Sequence, residues 1–129
     1  MRRTVSAAAG IAALAVLAGC GGGASQDVRD AVGRLQSAAR AGDATKICRQ
    51  LFTPGLAVRI TRAGGGKSSC QARVRQQLAR RDETIAVRSV KVKGNSATAV
   101  VKEQNGNVSQ LGLVKSAGGW RVDSIAAVP

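Results

Sequence analysis

The spacing of apolar residues in this chain changes once, near residue 82, and that change determines the class of fold. Ahead of it, Val28, Ala31, Val32, Leu35 and Ala39 recur at helical spacing, with Asp27 placed to cap the helix and Gly42 to end it. Asp43 is placed to cap a second, short helix that turns Ile47, Cys48 and Leu51 inward and is broken by Thr53-Pro54-Gly55. Leu56, Val58 and Ile60 read as a turn or a short helix, and Ala63 to Ser69 as a glycine-rich loop. A third helix is predicted from Ser68 or Ser69 to about Arg81, with Cys70, Val74 and Leu78 on one stripe at steps of four. After Asp82 the period becomes that of a strand. In Thr84 to Lys93, Ile85 and Val87 share one parity and Val90 and Val92 the other, so a bulge is expected at Arg88-Ser89. Gly94-Asn95, Asn105-Gly106 and Ala117-Gly118-Gly119 then divide three further strands, Ser96 to Glu103, Val108 to Lys115 and Trp120 to Ala127. The pattern predicts an α+β domain: three N-terminal helices on one face of a curved, four-stranded antiparallel sheet.

The start of the chain lies outside this pattern. Met1-Arg2-Arg3-Thr4 is basic, and Val5 to Ala18 is an uncharged run of about fourteen residues, shorter than the roughly 20 that a membrane span needs. That is the form of an export signal. It closes on Leu17-Ala18-Gly19-Cys20, which resembles the lipobox of bacterial lipoproteins. The resemblance implies cleavage before Cys20 and a diacylglycerol on its sulfur, which would hold the chain at the outer face of the cytoplasmic membrane. Residues 1–19 are therefore expected to be a signal peptide, 20–26 the lipidated cysteine with a flexible tether, and 27–129 the folded domain.

With the signal removed, eighteen basic residues face seven acidic ones, a formal charge of about +11. Outside the membrane such a charge favours loose attraction to lipid headgroups and anionic wall polymers. Binding of nucleic acid is not expected, because the compartment is wrong and Phe52 and Trp120 alone cannot form a base-stacking platform. Once Cys20 is assigned to the lipid, Cys48 and Cys70 remain as an even pair in an oxidising compartment, and a disulfide between them is expected. No metal site is expected from two sulfurs in a chain without histidine. Thr61 to Ser68 ends like a phosphate-binding loop, but the required first glycine is Thr61 and no strand precedes it.

The phrase Ala41-Gly42-Asp43-Ala44 between the first two helices, and the closing strand Gly118-Gly119-Trp120-Arg121-Val122-Asp123, resemble those of NTF2-like (SnoaL-like) lipoproteins of high-GC Gram-positive bacteria. The resemblance covers about Asp27 to Ala127. It implies that the sheet wraps a long helix into a cone with a pocket at the open end. Enzymes built on that fold generally use a pocket histidine, an aspartate or a tyrosine–aspartate pair, and this chain has neither histidine nor tyrosine. Most of its carboxylates are accounted for by capping or by element ends. Asp123 is left with two roles, a cross-strand ion pair or a pocket carboxylate, and Trp120 likewise with two, a core plug or a pocket wall. The chain is expected to be a non-enzymatic, cofactor-free binder of a small ligand or an envelope protein, attached to the membrane through Cys20. The alternatives are a structural module without a pocket, or a cationic binder of envelope polymers using Arg73, Arg75, Arg80, Lys91 and Lys93.

Overall fold

The computed structural model of the protein describes residues 23–79 and 84–129. The signal peptide, Cys20, Arg80, Asp82 and Glu83 therefore lie outside the described residues. Within them the chain is α+β: helices α1 (Gly23–Arg40), α2 (Ala44–Lys46, continued by a π-helical turn Ile47–Leu51), α3 (Pro54–Ala63) and α4 (Cys70–Ala79) precede strands β1 (Ile85–Lys93), β2 (Ser96–Glu103), β3 (Val108–Ser116) and β4 (Gly119–Val128). The strands form one antiparallel sheet in the order β1-β2-β3-β4.

The helical half differs from expectation in two places. Helix α1 begins at Gly23, so Gly23 to Gln26 are helical where a tether was expected, and Asp27 lies within the helix instead of capping it. The segment read as a turn or short helix is a full helix, α3, which makes four helical segments instead of three. Thr53-Pro54-Gly55 both ends one helix and starts the next. The Thr53 hydroxyl accepts from Leu56 N at 3.1 Å as an N-cap, and Pro54 occupies the first helical position, where its missing N–H costs nothing.

The other helix signals act as read. Gly42 adopts φ 68°, which lets Asp43 N reach Ala38 O at 2.9 Å and Gly42 N reach Ala39 O at 3.1 Å, a Schellman closure of α1. Asp43 then caps α2, accepting from Lys46 N at 3.0 Å. In the following π turn Phe52 N bonds Ile47 O at 2.8 Å, and Ile47, Cys48 and Leu51 are buried together. Ser69 caps α4 through its hydroxyl, 3.2 Å from Ala72 N.

In the sheet, Val87 pairs with Val101 and Ser89 with Val100, which leaves Arg88 as the extra residue of the expected bulge. The bulge keeps Ile85, Val87, Val90 and Val92 all against the core. A second, unforeseen bulge lies in β4: Gly112 pairs with Ser124 and Leu113 with Val122, so Asp123 is extra. A Cβ at Gly112 would meet the Ser124 hydroxyl, so a side chain there would oblige that hydroxyl to turn away. The core forms between the inner sheet face and the helices, with Val28 and Val32 of α1, Ile47, Leu113 and Val122 its most deeply buried large side chains. Burial of each such side chain contributes about 1.5–3 kcal/mol.

Cys48 and Cys70 form a disulfide that ties the π turn to the start of α4. Helix α4 buries only Cys70 and Val74 among its described side chains, so this bond is a large part of its attachment. Replacing both cysteines with alanine should lower stability by about 3 kcal/mol on the loop-entropy model. The check is the denaturant midpoint. A change of less than about 1 kcal/mol would mean that α4 is held by packing alone.

Candidate functional site

One end of the sheet, where β1 and β3 begin and β2 and β4 end, stands open beneath the helices and forms a cavity of about 840 Å³. Its sheet wall is Ile85, Val101, Ser109, Leu111 and Ile125, with Glu103 at the end of β2. Leu35, Gln36, Ala39 and Arg40 from the last turns of α1 face this wall, and Ile47 and Phe52 close the depth of the cavity. Ile60 and Ala63 of α3 and Arg73, Val74, Gln77 and Leu78 of α4 complete it. The sequence produces the opening by default. The inward residues at this end of β2 and β3 include Glu103 and Ser109, whereas the closed end has Ala97, Leu113, Trp120 and Val122, all buried.

Glu103 is the site residue that sequence reasoning missed. It was set aside as a strand-end residue, yet it is only 6% exposed and lines the cavity. The signal that could have found it is parity: Ala97, Ala99 and Val101 face inward, and Glu103 continues the same alternation. Arg40 lies at the rim, where its guanidinium donates to the Thr84 hydroxyl at 3.5 Å. Among the described residues no group of three or more histidine, cysteine or carboxylate side chains could hold a metal ion.

Neither Trp120 nor Asp123 belongs to this cavity. Trp120 is 5% exposed and fills the closed end as a core plug, its indole N–H buried without a hydrogen-bond partner among the described residues. Asp123 is neither a pocket carboxylate nor part of a cross-strand ion pair. The bulge turns it toward α3, where its Oδ1 accepts from the Thr53 hydroxyl at 2.7 Å and stands 3.7 Å from the Arg59 guanidinium, which also donates to the Asp123 carbonyl. Thr53 N donates to Val122 O at 2.9 Å, and Phe52 forms a parallel bridge to Val122. Asp123 thus docks α3 onto the edge of the sheet and positions one wall of the cavity without entering it.

The basic residues proposed to bind polymer are divided between layers. Arg73 and Arg75 lie on α4, whereas Lys91 and Lys93 alternate with the inward Val90 and Val92 and so lie on the outer sheet face. No helix among the described residues is long and apolar enough to cross a membrane.

Thr53 serves as N-cap, sheet-edge partner and donor to Asp123 at once, so Thr53→Val should cost about 2 kcal/mol in a denaturant titration. Arg59→Ala removes only an exposed ion pair and a surface hydrogen bond, and should cost less than about 1 kcal/mol. Equal losses for the two variants would contradict this division. Comparison of the chain with family models, with known proteins and with solved structures finds no match to any of them.

Proposed function

We propose that this chain is a lipid-anchored extracytoplasmic domain, a reduced NTF2-like cone without enzymatic activity, that binds a small ligand in the cavity at the open end of its sheet. The observation that carries this reading is the cavity itself. Its volume of about 840 Å³ falls within the 300–1,000 Å³ usual for ligand sites, and its walls are mostly apolar with a few polar groups, as such sites require. The bulges at Arg88 and Asp123 support the curvature of a cone, because each bends its strand. The anchor rests on Leu17-Ala18-Gly19-Cys20 closing an export signal.

A purely structural module would have its interior filled with side chains, and the cavity speaks against that alternative. A cationic polymer binder would gather its arginines and lysines on one face, and their division between two layers speaks against that one. Catalysis draws on a single observation, the buried Glu103 beside a substrate-sized space. General acid–base chemistry usually calls on a second titrating group, and the chain offers no histidine or tyrosine for it.

Full-length protein extracted from membranes should carry a small molecule detectable by mass spectrometry. Ser109→Trp, which places an indole in the cavity from its sheet wall, should reduce the copurified amount at least about tenfold. An undiminished yield would move binding elsewhere. Conversion of the copurified molecule on incubation, abolished by Glu103→Gln, would favour catalysis instead. For the anchor, Cys20→Ala should abolish the acyl mass and shift the protein out of the detergent phase. Unchanged partition would refute lipidation at Cys20.

A further inference from the structure

Arg73 is a cavity cation whose guanidinium has no bonded partner among the described residues. It leaves the first turn of α4 half-buried and runs across Gly64 at the end of α3, where a Cβ would stand 2.9 Å from both its Cδ and its Nη1. The absent side chain at Gly64 is thus what admits Arg73 to this path along the cavity wall. Its backbone N–H is bonded to Ser69 O at 3.1 Å, but among the described residues no carboxylate, carbonyl or hydroxyl bonds its guanidinium. Arg40, the other cavity cation, already bonds the Thr84 hydroxyl. Glu103 belongs to the sheet wall, at the register position of Ile85, whereas Arg73 comes from the helical layer. A half-buried guanidinium is weakly hydrated and offers a planar fork that matches a carboxylate, and the apolar surroundings strengthen that pairing.

We infer that the cavity takes a single-chain amphiphile with a carboxylate head, a fatty acid, whose head is held by Arg73 and whose chain lies along Val101, Leu111, Leu35 and Ile60. This rests on the cavity-binding reading above and adds the chemistry of the ligand. The test uses the full chain in its membrane and two photoreactive probes of equal length, a diazirine-bearing dodecanoate and the corresponding alcohol, with labelled peptides mapped by mass spectrometry. The acid should label peptides from α3, α4 and β2 at lower concentration than the alcohol. Arg73→Gln should raise the half-labelling concentration of the acid about tenfold and leave that of the alcohol unchanged. Arg73→Lys, which keeps the charge, should retain most of the preference, and the alcohol reports whether each variant still folds. Equal labelling by the two probes in the unaltered protein, or equal losses in Arg73→Gln, would overturn the carboxylate inference while leaving cavity binding in place. Failure of both probes to label those peptides would overturn the amphiphile inference, while the copurified molecule and its loss in Ser109→Trp decide cavity binding separately.

Discussion

Thr53 and Asp123 meet where the start of α3 bonds directly to the edge of β4, and the placement of α3 follows from that meeting. Thr53 is 8% exposed, and its hydroxyl must be satisfied. It bonds in both directions, accepting from Leu56 N and donating to Asp123, while its backbone N–H continues the sheet edge through Val122. The partner carboxylate is available only because β4 carries an extra residue there. Across the ladder from the bulge stands Gly112, where a side chain would oblige the Ser124 hydroxyl to turn away. A bulge on β4 and a cap on a helix some seventy residues away form one device. It helps to fix α3, and with it Ile60 and Ala63 in the cavity wall.

The cavity has an energetic consequence for the rest of the domain. Side chains along an open space lose packing partners, so the helices above it cannot rely on burial alone. The chain answers differently for each helix. Helix α1 is anchored by Val28 and Val32, both almost fully buried near the closed end, and its last turns are free to face the cavity. Helix α3 is held by its capped start. Helix α4, with little buried surface, is fastened by the disulfide to the π turn, which is itself part of the core. Each wall is fixed at one end and contributes lining residues from the other, which makes a stable opening compatible with a small core.

Charge follows the same division. The basic excess is spread over the outer sheet face and the solvent side of the helices, where it is hydrated and contributes little to the fold. Within the cavity charge is sparse and individually placed: Arg40 on a hydroxyl, Glu103 on the sheet wall, Arg73 over Gly64. Net charge describes the outer surface. The cavity charges describe what can enter, and the two are independent.

Local rules made much of this legible in advance. Parity alone located the Arg88 bulge, because apolar residues had to change faces to stay in the core. Gly42 and Asp43 marked a helix junction, because a left-handed residue and an N-cap each carry a residue-type signature. The only spare thiols became a disulfide. Where sequence reasoning failed, the deciding partner was most often distant in the chain. Thr53-Pro54-Gly55 ends a helix on local grounds, and the same residues start another once Thr53 finds Leu56 and Asp123. Asp123 was left as a cross-strand ion pair or a pocket carboxylate, but a bulge removes its strand parity and its partners are Thr53 and Arg59 on another element. Glu103 was read as a strand end, although its parity already pointed inward; that a cavity lies there depends on how four separate elements stop short of one another. By itself the sequence determined the succession of helices then strands, the strand faces, the Gly42-Asp43 junction and the reserve of chemical groups, because those depend on neighbours within a few residues. Only the tertiary structure decided which polar groups meet and where space is left, because both depend on segments brought together by packing.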